Sequence, residues 1–470
     1  MTVDLTRAHF VGIGGAGMSG IARILLARGS KVSGSDAKDS TTLAALRALG
    51  ATIGLGHAAD YVRGASAVVT SSAIRPDNPE VLAAHELGIP VVPRAAALAA
   101  VMEGRVAVTV AGTHGKTTTT SMLTIALQGC HADPSFAIGG DLNEAGSNAH
   151  EGSGRYFVAE ADESDGSFLL LSPYAAIVTN VDADHLDFYG TAEAVADAFV
   201  AFAERIVPGG FLVTCADDPG ARTLATAARA RGIDVRTYGE SPESDLVLSH
   251  LRIRPDGTSF RVVHHGRVLA PVELTVVGRH NALDAAAAIL TGLGLGFAYE
   301  PLVSALAEFA GARRRFELKG VARGVRVVDD YAHNPAKVAA ALDAARVVAG
   351  NGRLLVVFQP HLFTRTMHFA QDFGAALGRA DEVVVLDVYG AREDPVPGVS
   401  GDLVAAAVPL PAERVRFEPR ADEAARYVAG RARRGDLVMT IGAGDVTFLG
   451  PQILAFLDEA DHPHGVGGGD

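Results

Sequence analysis

Val106-Ala-Val-Thr-Val-Ala-Gly112-Thr113-His114-Gly115-Lys116-Thr117-Thr118-Thr-Thr120 is the stretch that decides how this 470-residue chain is read. An apolar, β-branched run passes through two glycines into a threonine-rich segment that reads as a helix. Glycine accepts the curled backbone in which successive N–H groups face inward, and a helix N-terminus adds its own positive end. The result is a phosphate-binding loop. Gly112, Thr113, His114, Gly115 and Thr118 form the cradle, Lys116 reaches the β- and γ-oxygens, and the Thr117 hydroxyl faces a Mg²⁺ ion. The loop is shorter than the full Walker pattern, because Val110 stands where the first glycine of that pattern belongs. Lysine is scarce, confined to Lys31, Lys38, Lys116, Lys319 and Lys337, which sets a lysine at a helix head apart from surface filler.

Upstream lies a second glycine-rich turn, His9-Phe-Val-Gly12-Ile-Gly14-Gly15-Ala16-Gly17-Met-Ser-Gly20, between a strand and a helix running to Ala27. A strand at 31–34 then ends in Ser35-Asp36, with Asp36 where a ribose-binding carboxylate is expected. A pyrophosphate at this helix N-terminus follows from the turn. The turn alone does not choose between NAD(P), as in a dehydrogenase, and another diphosphate such as a nucleotide sugar. Two facts weaken the dinucleotide reading. About a hundred residues precede the phosphate loop, room for one mononucleotide-binding half, and hydride transfer needs no ATP-type loop.

Further strands are expected at 67–70 and 89–92, then at 325–329, 354–358, 382–386 and 437–441. Short alternating runs over 245–277 predict a hairpin insertion or an antiparallel edge. Strands alternating with helices make this an α/β protein with mostly parallel sheets in three domains. These are 1–104, Rossmann-like; 105–310, a central P-loop ATPase-like domain; and 311–460, Rossmann-like again. Residues 461–470, with His462, His464 and a glycine run, read as a disordered tail.

Two acidic clusters follow strand-like runs: Phe157-Val-Ala-Glu160-Ala-Asp162-Glu163-Ser-Asp165 and Ile177-Val-Thr-Asn180-Val-Asp182-Ala-Asp-His185-Leu-Asp187. Ligands at the carboxyl ends of parallel strands lie beside a phosphate loop. Mg²⁺ takes carboxylate, hydroxyl and phosphate oxygens, so Glu160 and Thr117 read as ligands of one ion and His185 as completing a second. Asp162, Glu163 and Asp182 stay open between that role and a solvated loop complementing a helix dipole.

A net charge of −13 excludes non-specific binding to nucleic acid or to an anionic membrane surface. An anionic substrate must therefore be held by local arginines and N–H groups. Cys130 and Cys215 are the only cysteines, which excludes a disulfide framework and fits a reducing compartment. No apolar stretch approaches the ~18 residues of a membrane span, and the cytosol is the expected location.

The phosphate loop and both acidic clusters resemble those of the Mur ligases of peptidoglycan synthesis. So do Gly278-Arg-His280-Asn281-Ala-Leu-Asp284, Arg314-Arg315-Phe-Glu317, Asp329-Asp330-Tyr331-Ala-His333-Asn334-Pro335 and Phe358-Gln-Pro-His361. The likeness covers nearly the whole chain, in order. Residues 9–20, the histidine inside the loop and Phe358-Gln-Pro-His361-x-x-x-Arg365-Thr366 are most similar to the branch that adds L-alanine to UDP-N-acetylmuramate.

What the resemblance implies is an ATP-dependent ligase of cell-wall biogenesis, and so of cell shape and division. It would phosphorylate the lactyl carboxylate and let the amine of L-alanine attack the acyl phosphate, with ATP and two Mg²⁺ ions as the expected cofactors. Its partners would be those small molecules, with the chain acting as a monomer or weak homodimer. By position, Lys116, His185 and Arg315 would be catalytic. Arg315 would reach the γ-phosphate, Asp330 the ATP ribose, and His280 and Asn281 the adenine and phosphates. Gly14, Gly15, Ala16, Gly17, Asp36, Ser71 and Ser72 would hold the UDP part, with Arg94 and Asn180 along the sugar-nucleotide path. Tyr331, His333, His361 and Arg365 would form the amino-acid pocket, Arg365 pairing with the carboxylate. Three positions depart from the family. No lysine lies between Lys116 and Lys319, so the carbamylated lysine of several relatives cannot be built, and Asn334 and Leu362 replace a histidine and a basic residue. A muropeptide-recycling ligase of the same family is the neighbouring alternative.

Overall fold

The computed structural model describes residues 3–139, 148–391 and 393–459; the tail at 461–470 lies outside them. Among the described residues the strands form three sheets. In the first, five parallel strands lie in the order Thr52–Leu55, Lys31–Asp36, Arg7–Val11, Ala67–Thr70, Val91–Pro93. The second is built on Val106–Ala111, flanked in parallel by Tyr156–Glu160 on one side and Ala175–Val178 on the other. Phe211–Cys215 and Asp234–Gly239 extend it, also in parallel. In the third, Leu437–Ile441 lies between Val325–Asp330 and Leu354–Phe358, all parallel, and Glu317–Ala322 closes one edge antiparallel to Val325–Asp330.

The central strands are buried along their length, as expected where helices cover both faces of a parallel sheet. Each fully buried Val or Ile there contributes about 1.5–3 kcal/mol of burial free energy. The helix Lys116–Gly129 is buried as well, although six of its residues are Thr or Ser. Side-chain hydroxyls of Thr120, Ser121 and Thr124 donate to the carbonyls four residues back at 2.7, 2.7 and 2.8 Å, which satisfies them without outside partners.

The 245–277 region forms the expected edge. Leu246–Arg254 joins the sheet parallel to Asp234–Gly239, Gly257–His264 lies next to it, and Arg267–Val268 pairs antiparallel with Gly257–His264. The chain divides into two compact units: the first sheet and nearly all of the second lie in one, and the third sheet lies in the other, which begins its main run at Gly311 and also takes in Ile253–Thr258 and Val276–Gly278. No helix among the described residues is long and apolar enough to cross a membrane.

Candidate functional site

Sheet register places the first site. Val110 lies opposite Glu160, and Ala111 opposite Val178, so the loops after three adjacent strands leave the same edge together. Gly112 has φ +124° and Gly115, which caps the helix Lys116–Gly129, has φ +83°. Both conformations are ones that only glycine adopts cheaply. A Cβ on Gly115 would stand 2.6 Å from Asp284 Oδ1, which accepts the Thr119 hydroxyl at 2.9 Å.

Asn180, expected along the sugar-nucleotide path, brackets the loop with its carboxamide. Its Oδ1 accepts the His114 N–H at 2.8 Å and its Nδ2 donates to the His114 carbonyl at 3.1 Å. Thr179 donates to the same carbonyl at 2.5 Å, and the Asp182 N–H donates to the Thr113 hydroxyl at 3.0 Å. The loop is thus braced from the neighbouring strand end, and the N–H groups of Thr113 and His114 are spent on that bracing.

Lys116 donates to the Gly112 carbonyl at 2.8 Å and to Glu163 Oε1 at 2.7 Å. Burial works against its charge, but Glu163, Asp162 and Glu160 outweigh burial and hold its pKa above the ordinary lysine value. His185 Nε2 lies 3.7 Å from the same Glu163 oxygen. Glu163 is only 2% exposed, so the solvated-loop reading left open for it is excluded. Asp182, with its side chain 62% exposed, keeps that character and pairs with His114 at 3.8 Å. Asp162 pairs with Arg94 at 3.3 Å. Burial opposes the ionised form of Asp162, while Lys116 and Arg94 more than offset it and draw the pKa below the usual carboxylate range.

Mg²⁺ fits this donor set in part. Thr117 is buried at the helix head and Glu160 ends its strand against Gly139, where a Cβ would collide with the carboxylate. One carboxylate and one hydroxyl are what the ion takes from a protein when phosphates complete its shell. No group of three or more His, Cys, Asp or Glu residues suited to a metal occurs among the described residues. His280 and Asn281 head the helix Arg279–Gly294, which also carries Asp284.

The N-terminal turn opens on a cleft of about 410 Å³ lined by Gly12, Gly14, Gly15, Asp36 and Ser71. Lys38 and Ser40 line it too, and no motif singled them out. Ser72, next in sequence, is exposed. Asp36 Oδ2 accepts the Gly14 N–H at 2.9 Å, while the Ser35 carbonyl accepts from Gly12 and Ile13, both at 2.9 Å. The end of the second strand therefore holds the turn open. A Cβ on Gly17 would lie 2.8 Å from Arg94 Nη1, so the start of the helix Ala16–Ala27 packs on that arginine.

The second unit gathers the remaining residues. Asp330 accepts the N–H groups of Phe316 and Ala332, both at 2.8 Å; burial pushes its pKa up, against the pull of Arg315. The Arg314 and Arg315 guanidinium carbons lie 4.8 and 5.3 Å from the Tyr331 ring centre. Tyr331 and His333 meet edge to face at 5.2 Å, and His361 lies 6.1 Å from His333. Arg365 donates to the His333 carbonyl at 3.3 Å. Tyr389, absent from every motif, stacks on His361 at 5.9 Å. Asn334 caps the helix Pro335–Ala349 by accepting the Lys337 N–H at 2.8 Å, a local task that a histidine performs poorly. Leu362 precedes the helix Phe363–Leu377 at φ +70°.

Three family descriptions match the chain in order. The Mur ligase family catalytic domain covers residues 7–105, the Mur ligase middle domain 110–292, and the glutamate ligase domain of Mur ligases 314–444. A UDP-N-acetylmuramate–L-alanine ligase of Saccharopolyspora erythraea is 60% identical over 460 residues, spanning 97% of this chain and 94% of its own. One from Acidothermus cellulolyticus is 56% identical over 451 residues, spanning 96% and 94%. The crystal structure of the UDP-N-acetylmuramate–alanine ligase of Thermotoga maritima superposes with a TM-score of 0.83 at 29% identity, covering 97% of this chain and 99% of that one.

Proposed function

This chain belongs to the Mur ligase family, and from that premise we infer that it joins L-alanine to the lactyl carboxylate of UDP-N-acetylmuramate, using ATP. One structural observation carries the reading. A single unit holds two separate phosphate-binding turns, the Lys116 loop and the Gly12–Gly17 turn with its cleft. A ligase of this kind needs both, one for the triphosphate and one for the diphosphate of its acceptor.

The chemistry follows from what a carboxylate lacks. Its oxygen is a poor leaving group, so a carboxylate oxygen first attacks the γ-phosphorus of ATP and the bond to the β-phosphate oxygen breaks, releasing ADP. The amine then adds to the acyl carbon, the tetrahedral intermediate collapses, and orthophosphate departs. Catalysis is charge neutralisation and alignment. Lys116 and the N–H groups at the head of the helix Lys116–Gly129 would take the β- and γ-oxygens, and Asn180 fixes the backbone of the loop before them. Thr117 and Glu160 would hold one Mg²⁺ and His185 a second, an ion that when bound neutralises phosphate charge.

We assign the UDP-sugar to residues 1–104, the nucleotide to 105–310 and the amino acid to 311–460. Arg315 and Asp330 would serve the γ-phosphate and ribose, and Tyr331, His333, His361 and Arg365 the amino acid. Steady-state release of ADP and phosphate tests the reading: it should require UDP-N-acetylmuramate and L-alanine together. Turnover with a muropeptide in place of alanine, and none with alanine, would replace it with a recycling ligase.

A further inference from the structure

Glu163 has no step in this reaction, yet its carboxylate is buried at the head of the phosphate loop. Its backbone is fixed: the carbonyl accepts the Tyr189 hydroxyl at 2.5 Å and the Gly166 N–H at 3.1 Å. Oε1 accepts from Lys116 at 2.7 Å with His185 3.7 Å away, while Oε2 is buried with no hydrogen-bond partner among the described residues. The second bond of Lys116 goes back to its own loop, at the Gly112 carbonyl. Two of the three protons of the ammonium are therefore committed within the protein.

We propose that Glu163 is a counter-ion latch that makes this site select metal-bound over metal-free nucleoside triphosphate. The proposal rests on the ATP-ligase reading. Without nucleotide, Glu163 holds Lys116. A polyphosphate that takes Lys116 for itself leaves a buried carboxylate with its counter-charge withdrawn and new negative charge beside it, the costly arrangement for a buried ion pair. A nucleotide carrying a divalent cation brings positive charge and a demand for oxygen ligands, which the unpartnered Oε2 can meet directly or through water. Metal-free nucleotide offers no such compensation and is disfavoured.

Equilibrium binding of ATP to the full chain, in excess chelator and again in Mg²⁺, tests the latch on the unaltered protein, Glu163→Gln and Glu163→Asp. The glutamine variant should bind metal-free ATP about tenfold tighter than the unaltered protein, and its gain from Mg²⁺ should shrink by about the same factor, the effect of one removed like-charge contact. Glu163→Asp, which keeps the charge, should follow the unaltered protein. A glutamine variant that melts normally and binds metal-free ATP no tighter overturns the latch, as does an aspartate variant that behaves like the glutamine one. If the unaltered protein binds no ATP under either condition, the ligase reading itself fails; ATP binding and turnover without the gain in Glu163→Gln defeat the latch alone.

Discussion

Gly115→Ala combines two costs that a second glycine lets one separate. Gly115 has φ +83° and Gly104 has φ +79°, but a Cβ on Gly104 meets nothing within 4 Å. Alanine in this left-handed region costs roughly 1–2 kcal/mol at either site. At Gly115 the new methyl also lies 2.6 Å from Asp284 Oδ1, in a site where Asp284 is 5% exposed and accepts the Thr119 hydroxyl at 2.9 Å. Moving Asp284 to relieve that contact gives up a buried, charge-assisted hydrogen bond, about 1–3 kcal/mol more. Gly115→Ala should therefore lose about 2–5 kcal/mol and Gly104→Ala only about 1–2. Urea unfolding followed by far-UV circular dichroism gives the comparison, and ATP titration its consequence, since only Gly115→Ala displaces the loop. Equal stability and equal ATP affinity in the two variants would refute the argument that the loop is seated on Asp284.

Lys116→Ala should cut turnover by on the order of a thousandfold, as loss of one preorganised charge contact does, while UDP-N-acetylmuramate binding by calorimetry stays nearly intact; full activity would remove the loop from the mechanism. Arg365→Met should raise KM for L-alanine by about tenfold, the worth of one charged contact, with KM for ATP unchanged; a rise in the ATP value instead would move Arg365 out of the amino-acid pocket. Burial, with Lys337 and Arg365 near, holds the His333 imidazole well below the usual histidine range. A base whose pKa falls on folding contributes its full stability above the unfolded value, about 6.5, and loses it as pH drops below that. His333→Asn should thus flatten the fall in stability from about pH 6.5 downward; an equally steep acid limb in denaturation would contradict this.

The parts of the site written as local pattern were legible in the chain. A β-branched run, two glycines and a lysine announce a strand, a loop and a helix head, because each residue type acts on its own backbone. Asp36 was legible for the same reason, although its carboxylate proves to hold the turn through Gly14 as well as to line the cleft. Glu163 was not, because nothing periodic links it to Lys116, 47 residues earlier. Only strand register brings those two loops to one edge. Tyr389 stacks on His361 by the same kind of long-range placement. Asn180 was placed along the sugar-nucleotide path by likeness, which says nothing of the backbone groups in the neighbouring loop that its carboxamide satisfies. The three sheets were readable from alternating strands and helices. The grouping of two of them in one unit was not, since it depends on packing between elements rather than on any one of them.

Isotope transfer tests the central chemistry most directly. With oxygen-18 placed in the lactyl carboxylate of UDP-N-acetylmuramate, activation by phosphorylation predicts that one labelled oxygen leaves in the orthophosphate of each turnover with L-alanine. Labelled amide product accompanied by wholly unlabelled phosphate would contradict an acyl-phosphate route.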